Sequence, residues 1–393
     1  MESERAVKGD YEKRIRSVLT SMKKDGDFWD SSTDLSHYLC HAMQPIITFK
    51  VTSITHETAD AVTVRLTPLN GEIVSYRPGQ FLAIDFHINN REIRRSFSLS
   101  SVSGMDEDLA ITVKRIPNGE ISNYVYRHLK LGDEIQALPP AGRFVLDTAE
   151  VKRDVFMVAA GSGITPIFSI IKDVLVNDPL SRIILIYSNR DEKSTIFYNQ
   201  LNELTDRYPE RFKCIYIFSD PIDKNYVYKG HLSLELLNVL IENNLQSDRS
   251  KAEFMLCGPF DYMRKSEMII VVMGFEKAQI HKENFVVIAE QEAINTPPVQ
   301  EAGDKTVTIN IRGQVFELVV PVGKPILKAA LENNIYLPYS CQGGICGTCS
   351  AICKSGEVKM SINDVLTQKE LDKGWILTCV GYPMTEQVEL EYE

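Results

Sequence analysis

Four of the eight cysteines follow a spacing that limits what the end of this chain can fold into. Cys341, Cys346 and Cys349 form C-x4-C-x2-C, and Cys379 follows after 29 intervening residues. This is the plant-type spacing for a 2Fe-2S cluster, in which four thiolates hold two irons. Because three of the thiolates come from one short stretch, that stretch must form a tight loop with its sulfurs turned inward. The sequence therefore predicts a small domain built around an iron–sulfur cluster.

The residues between these cysteines support the same prediction. Gly343, Gly344 and Gly347 allow backbone conformations closed to other residues and let N–H groups approach the sulfurs. A structural zinc site is the alternative, but such sites usually pair short spacings such as C-x2-C. The x4 gap and the single distant fourth cysteine favour the cluster. Cys353 lies outside the spacing, and we predict that it is a packed core thiol.

Length and composition describe the chain as a globular protein of several domains. Its 393 residues suffice for roughly two to four domains, and its apolar (44%) and charged (24%) fractions are ordinary. These values exclude a mainly disordered chain, a collagen and a disulfide miniprotein. No apolar run is long enough for a membrane span, and the first residues lack the core of a secretion signal. We therefore expect a cytoplasmic protein, and the net charge of −10 argues against nucleic acid as a partner.

The hydrophobic pattern predicts five segments along the chain. Residues 1–44 are polar with apolar residues at helical spacing, which predicts a helical extension. Alternating apolar residues over 45–148 predict an antiparallel β-barrel. Continuous apolar strands between helix-like stretches over 149–289 predict a doubly wound α/β parallel sheet. The acidic, proline-containing stretch 290–304 is typical of an exposed linker, and 305–393 carries a hairpin and a helix before the cysteine loop.

The predicted barrel carries residues suited to a flavin. A flavin needs a cation for its pyrophosphate, an aromatic ring beside the isoalloxazine or ribityl part, and a hydroxyl near N5. One predicted strand offers all three in Arg95, Ser96, Phe97 and Ser98, and another offers Val113, Lys114 and Arg115. Gly119, at the mouth of a predicted helix, leaves backbone N–H groups and the Ser122 hydroxyl free for phosphate.

The predicted parallel sheet carries turns suited to a nicotinamide dinucleotide. Gly161 and Gly163 follow an apolar strand and precede Thr165 and Pro166, so a pyrophosphate can approach the helix N-terminus. The spacing is not the usual G-x-G-x-x-G fingerprint. Ligands of such sheets bind at the carboxyl ends of the strands, and a second strand ends in Cys257, Gly258 and Pro259.

A third apolar strand bears on the choice of coenzyme. It ends in Ser188, Asn189 and Arg190. An NADP site usually places an arginine near the 2′-phosphate, whereas an NAD site places an acid near the ribose. Arg190 therefore predicts NADPH, with Ser188 and Tyr198 as helpers. Asp191 follows directly, so NADH stays the alternative.

Taken together, these motifs resemble those of the ferredoxin–NADP reductase superfamily, extended by a C-terminal plant-type ferredoxin domain. The resemblance covers about residues 45–393. It is greatest to the reductases of multicomponent oxygenases, among them the phenylacetyl-CoA oxygenase type. It implies an FAD-binding barrel, an NAD(P)-binding doubly wound domain and an α+β ferredoxin domain of the β-grasp fold. A terminal oxygenase or hydroxylase is the implied partner.

The resemblance also implies roles for individual residues. The family's R-x-Y-S flavin motif corresponds to Arg95, Phe97 and Ser98, with phenylalanine in place of tyrosine. Its G-x-x-S phosphate contact corresponds to Gly119 and Ser122. Its nicotinamide loop corresponds to Gly161, Gly163, Thr165 and Pro166. Its C-G-P motif corresponds to Cys257, Gly258 and Pro259, and the aromatic residue of its E-x-F segment corresponds to Phe285.

These cofactors define an expected path for electrons. A hydride carries two electrons, whereas a 2Fe-2S cluster accepts one at a time, so FAD must lie between NAD(P)H and the cluster. We expect Ser98 to bond near flavin N5, and Thr165 and Cys257 to orient the nicotinamide. We expect the acceptor to dock on an exposed cysteine loop over Gln342–Gly347. The alternatives are a desaturase or another acceptor, or a non-catalytic iron–sulfur sensor.

Overall fold

The computed structural model describes residues 46–88, 91–106, 108–285, 303–311, 313–363 and 365–392. The predicted N-terminal extension lies outside these residues, as does most of the predicted linker. No helix in the described ranges is long and apolar enough to cross a membrane. Three main β-sheets follow one another along the chain.

The first sheet is an antiparallel barrel, as predicted. Its strands are β1 Ile47–Thr58, β2 Ala61–Pro68, β3 Phe81–Ile88, β4 Arg91–Ser98, β5 Leu109–Lys114 and β6 Glu134–Ala137, in the order β4-β3-β6-β1-β2-β5. Leu99, just after β4, bridges Ile111 of β5, and the Ser100 N–H donates to the Ala110 carbonyl at 2.8 Å. These contacts join the two edge strands and close the sheet around its apolar core. Helix α1 (Glu120–Arg127) lies between β5 and β6.

The second sheet is parallel and doubly wound, which confirms the prediction. Its strands are β7 Arg153–Ala160, β8 Ser181–Asn189, β9 Phe212–Phe218, β10 Glu253–Cys257 and β11 Ile280–Glu283, in the order β11-β10-β7-β8-β9. Helices α2 Ile164–Asn177, α3 Tyr198–Arg207, α4 Leu234–Asn244 and α5 Phe260–Val272 connect them. Alternate residues of β7 and β8 belong to two different cores, so both faces of the sheet are buried. The chain changes direction between β7 and β10, the place where such sheets bind ligands.

The third sheet is mixed, in agreement with the predicted α+β, β-grasp class. Its elements are β12 Lys305–Ile311, β13 Gln314–Val320, α6 Ile326–Glu332, β14 Ser350–Ser355, β15 Val358–Met360, α7 Gln368–Leu371, β16 Trp375–Leu377, β17 Gly381–Pro383 and β18 Gln387–Tyr392. The order is β13-β12-β18-β14-β16, with β12 and β18 parallel, while β15 and β17 form a separate pair. A core of its own lies between this sheet and α6.

Contacts between the three bodies bring their loops together. The Gly79 N–H of the barrel donates to Ser169 Oγ of α2 at 2.9 Å. The hydroxyls of Ser96 in β4 and Ser340, next to the first loop cysteine, are hydrogen-bonded to each other. The cysteine loop therefore lies against the strand that carries the predicted flavin residues.

Candidate functional site

The four cysteines of the predicted cluster meet at one end of the third sheet. The loop Cys341–Cys349 joins α6 to β14, and Cys379 follows β16. The Gly343 N–H donates to Cys341 Sγ at 3.4 Å, and the Gly344 N–H donates to Cys379 Sγ at 3.3 Å. The second bond ties the distant cysteine to the loop. Such N–H donors stabilise negative charge on sulfur and tune the potential of a cluster.

Two glycines of this loop hold backbone conformations that other residues rarely adopt. The φ angle is 75° at Gly344 and 71° at Gly347. A Cβ at Gly344 would lie only 2.7 Å from Ile362 Cγ2. Conformation and space both require glycine there, as the sequence suggested.

The environment of the four thiols suits a sulfur-ligated metal centre. Hydrogen bonds among these thiols lower the pKa of Cys341 and raise the pKa values of Cys346 and Cys379, so the three sulfurs lie within reach of one another. Cys346, Cys349 and Cys379 are buried. Thiolates are the donors that iron–sulfur clusters require, and binding of the metal releases their protons. The residues therefore fit the cluster that their spacing predicts.

The prediction of an exposed loop over Gln342–Gly347 is wrong. Gln342 is exposed, but Gly343 to Gly347 are buried. The loop is covered both by its own domain, where a Cβ at Gly344 would meet Ile362, and by the barrel, where a Cβ at Gly347 would meet Arg143; the spacing of the cysteines does not reveal either contact. Within that stretch, Gln342 alone is presented to solvent.

A cavity lies where the three bodies meet. It is lined by Phe81, Arg94, Arg95, Ser96, Ser98, Glu283, Asn284, Phe285, Ser340, Cys341, Ile345 and Cys346. Three buried polar atoms, Ser98 Oγ, Glu283 Oε2 and Asn284 Oδ1, have no hydrogen-bond partner among the described residues. Buried polar atoms are normally paired, so this group indicates a polar ligand. A flavin ring, which is flat with polar edges, fits these residues.

Two ionisable groups near this cavity favour their neutral forms. Burial raises the pKa of Glu283, and the charge of Cys341 raises it further. Burial, followed by the charge of Glu283, raises the pKa of Cys257. Cys257 and Glu283 face each other across β10 and β11. A neutral carboxyl and a neutral thiol can both donate hydrogen bonds here.

The residues of the predicted flavin motif do not all face the cavity. Arg95, Ser96 and Ser98 line it, and the Arg95 guanidinium also donates to the Arg94 carbonyl at 2.7 Å. Phe97 is not among the lining residues. Its ring packs edge-to-face on Phe86 at 6.1 Å between centres.

The predicted phosphate contact forms an ordered turn before α1. Ser122 Oγ accepts from the Ile116 N–H at 3.1 Å and donates to the Gly119 carbonyl at 3.4 Å. The Ser122 hydroxyl thus shapes the turn at the helix N-terminus, where backbone N–H groups are available to a phosphate.

The neighbouring residues Val113, Lys114 and Arg115 have different surroundings. Lys114 Nζ would be 3.9 Å from a Cβ at Gly161, so it lies beside the first turn of the parallel sheet. Arg115 lies over the Tyr126 ring, 5.1 Å from its centre. Val113 is buried in the barrel core. Of this group, Lys114 connects the flavin motif to the nucleotide turn.

The two predicted nicotinamide motifs touch each other. The turn Gly161–Gly163 leads from β7 into α2, and the Thr165 hydroxyl secures it by donating to the Ser162 carbonyl at 2.9 Å. A Cβ at Gly163 would lie 2.1 Å from the carbonyl oxygen of Cys257. The close approach of these two segments therefore depends on glycine.

The rest of these motifs also packs at the switch point of the sheet. A Cβ at Gly258 would lie 3.1 Å from Ala160 Cβ, so the ends of β10 and β7 are in contact. Pro259 precedes the first residue of α5. Pro166 is buried in the first turn of α2. The structure thus brings together all the residues of both motifs.

The residues predicted to choose the coenzyme are spread along the end of β8. Arg190 is 73% exposed, and its Nε is 2.9 Å from Asp191 Oδ2. Asp191 Oδ1 accepts from the Ser194 N–H at 2.8 Å. Tyr198 packs against Tyr216, with ring centres 5.0 Å apart, and so belongs to the edge of the core.

Tyr262, Asn189 and Asn284 flank these motifs, and the sequence reasoning assigned them no role. Ser188 Oγ is 3.0 Å from the Tyr262 hydroxyl, which donates to the Ala159 carbonyl. Asn189 Nδ2 is buried without a partner among the described residues, as is Asn284 Oδ1. Asn189 ends β8 and Asn284 follows β11, so their position at the carboxyl end of a strand was the available signal.

Three protein families match consecutive parts of the chain. They are an oxidoreductase FAD-binding domain over residues 48–146, an oxidoreductase NAD-binding domain over 157–267, and a 2Fe-2S iron-sulfur cluster binding domain over 309–384. FAD, NAD(P)H and a 2Fe-2S cluster are therefore the cofactors. The third match contradicts the structural zinc alternative.

Known relatives share nearly the whole chain. It is 33% identical over 350 residues to a subunit of the 1,2-phenylacetyl-CoA epoxidase of Escherichia coli K12, covering 87% of this chain and 96% of that protein. It is 32% identical over 364 residues to the 3-ketosteroid-9-alpha-monooxygenase, ferredoxin reductase component, of Mycolicibacterium smegmatis, covering 88% and 97%. The solved phthalate dioxygenase reductase is 25% identical with a TM-score of 0.55, covering 88% and 98%. The chain belongs to the family of oxygenase reductase components, which carry electrons from NAD(P)H through FAD to a 2Fe-2S cluster.

Proposed function

We propose that this chain is a cytoplasmic reductase that supplies electrons to a terminal oxygenase of the phenylacetyl-CoA epoxidase type. The cavity shared by Ser98, Glu283 and Cys341 carries the proposal, because it brings the barrel, the parallel sheet and the cysteine loop to one point. The similarity to the E. coli epoxidase protein supports this type of acceptor. A plant-type cluster has a potential of about −400 mV, which suits delivery to oxygen-activating iron.

We further propose which residues hold each cofactor. Cys341, Cys346, Cys349 and Cys379 ligate the cluster. The flavin and its phosphates lie on Arg95, Ser96, Ser98, Lys114, Gly119, Ser122 and Phe285. The dinucleotide lies on Gly161, Gly163, Thr165, Pro166, Ser188, Arg190, Cys257, Gly258 and Pro259.

The chain's own groups then position the reacting parts. Bound FAD supplies the chemistry that accepts a hydride and releases single electrons. The unpaired Ser98 hydroxyl donates to the polar edge of the flavin ring. Thr165 would hold the turn that supports the nicotinamide, and the buried Cys257 would support the end of β10 behind that turn. Burial of Glu283 opposes a negative charge beside the ring.

The proposal is tested first by spectra of the purified protein under anaerobic conditions. NADPH should bleach both the flavin and the cluster absorption. Adding the oxygenase component of a phenylacetyl-CoA epoxidase should restore both, with turnover that depends on the acyl-CoA. Protein recovered from cells should be in the cytoplasmic fraction. Equal turnover with a desaturase, or none with the epoxidase, would contradict the proposed acceptor while leaving the reductase activity intact.

We propose NADPH as the preferred coenzyme. Both carboxylate oxygens of Asp191 are engaged, by Arg190 and by the Ser194 N–H, so Asp191 is poorly placed to bind a ribose hydroxyl. Arg190 is largely exposed and available to a 2′-phosphate. Arg190→Ala should lower kcat/KM for NADPH about 10- to 100-fold, the equivalent of one hydrogen bond to a charged group. The value for NADH is the internal control and should change little. A wild-type preference for NADH would refute the proposal.

A further inference from the structure

Arg143 of the barrel contacts the cysteine domain at several points. It lies in the connection between β6 and β7, outside every predicted cofactor motif. Its guanidinium carbon is 4.2 Å from the centre of the Trp375 ring, and its Nη2 donates to Ser350 Oγ at 3.2 Å. Its Nη1 forms an ion pair with Glu370. One side chain of the barrel thus contacts β14, α7 and β16 of the cysteine domain.

These contacts lie beside the cysteine loop. Ser350 directly follows Cys349, the third cysteine of the spacing. A Cβ at Gly347 would lie 3.5 Å from Arg143 Cδ, so the Arg143 stem also runs along the loop. A shift of Arg143 would therefore shift the loop that holds three of the four cysteines.

The carboxylate of Glu370 is held in place by neighbours other than Arg143. Glu370 Oε2 accepts from the Thr367 N–H and from the Thr367 hydroxyl, both at 2.8 Å. The other oxygen, Oε1, faces Arg143. Burial opposes ionisation of Glu370, but the Thr367 bonds and Arg143 together hold its pKa below the ordinary value. The charged carboxylate is thus present at neutral pH and needs little reorganisation to pair with Arg143.

The local environment strengthens this contact. The side chains of Arg143 and Glu370 are each 25% exposed, so water screens them less than a surface pair. Stacking of a guanidinium on an indole adds a cation–π attraction that a lysine or a neutral side chain reproduces poorly. At the far end of the interface, the hydroxyls of Ser96 and Ser340 bond next to the cavity.

We propose that Arg143 is a positioning residue for electron transfer, holding the cysteine domain so that Cys341 stays beside the cavity lined by Ser98. The inference rests on the proposed cofactor sites. In each transfer the flavin loses one electron and the cluster gains it, and no bond to the protein forms or breaks. A functional site works only when its groups are held close to the productive geometry, so a displacement of the loop slows this step.

The test follows the two electron-transfer steps separately in the full-length protein. After rapid mixing with NADPH, Arg143→Gln should reduce its flavin at the wild-type rate. Transfer from flavin to cluster should slow about tenfold, the equivalent of about 1.4 kcal/mol. The rate of transfer from flavin to cluster in Arg143→Lys should lie between the rates of the wild type and of Arg143→Gln. Glu370→Gln tests the same contact from the other side and leaves Arg143 in place. Arg77→Gln is the matched control, because its pair with Asp147 is exposed on the same barrel.

A second measurement reports on the position of the cysteine domain without requiring turnover. Amide hydrogen exchange of residues 367–377 should rise in Arg143→Gln and Glu370→Gln but not in Arg77→Gln. Wild-type transfer rates in both Arg143→Gln and Glu370→Gln would overturn the proposal. So would a shift in cluster potential with unchanged exchange, since Arg143 would then act through charge alone. Failure of the proposed cofactor sites is seen separately, as missing flavin or cluster absorption in the wild type.

Discussion

Replacing Cys341, Cys346, Cys349 or Cys379 by serine, one at a time, should remove or severely perturb the 2Fe-2S absorption. Each sulfur would then be replaced by a harder oxygen donor that an iron–sulfur cluster binds poorly. Loss of an outer-shell partner typically costs about 10- to 100-fold in metal affinity, and loss of a ligand should cost more. Electron delivery to an acceptor protein should fall with the cluster content, measured as iron bound per chain.

Cys353→Ser is the matched control for these variants. Cys353 is half-buried at the edge of the same core, and its Sγ donates to the Ser355 carbonyl at 3.4 Å rather than to the loop. The Cys353→Ser variant should keep the wild-type spectrum and iron content. A normal cluster spectrum in Cys379→Ser would show that the fourth ligand is misassigned.

Deleting residues 291–393 should separate the two activities of the protein. The barrel and the parallel sheet have buried cores that do not include residues of the cysteine domain. The remaining protein should therefore stay yellow and keep most of its ferricyanide reduction, because ferricyanide takes electrons directly from reduced flavin. Reduction of cytochrome c and of the natural oxygenase should be nearly abolished, because the cluster delivers those electrons.

Both activities are assayed with the full-length protein as reference. The deletion also removes the contacts that Ser96 and Arg143 make with the cysteine domain, so flavin content per chain must be measured first. If the shortened protein reduced the oxygenase at the full-length rate, the cluster would lie off the electron path.

Structural features that are set by residues close together in the chain could be predicted from the sequence. The cysteine spacing and its glycines set the loop because they act over nine residues of chain, Cys341–Cys349. The apolar runs identified the parallel sheet and the helix-like stretches between its strands, and the helix predicted before the cysteine loop is α6. Strand alternation could also have shown that Phe97 faces away from Ser96 and Ser98, since adjacent strand residues point to opposite sides.

Features that depend on how the domains pack could not be predicted in this way. Arg143 meets Glu370 across more than two hundred residues of chain, and neither residue lies in a recognisable motif. The burial of Gly343 to Gly347 also depends on residues distant in sequence, among them Ile362 beside Gly344 and Arg143 beside Gly347. Periodicity and spacing describe one element at a time and contain no information on such contacts.

The tight packing of Gly163 against the Cys257 carbonyl limits how this enzyme could be engineered to use a different coenzyme. A larger residue at position 163 would push the turn after β7 away from the end of β10, its neighbour in the sheet, so folding and the proposed dinucleotide site would suffer together. Mutant libraries should therefore avoid both turns. The exposed side chains of Arg190, Asp220 and Lys224 beyond the strand ends can be varied with little cost to the core.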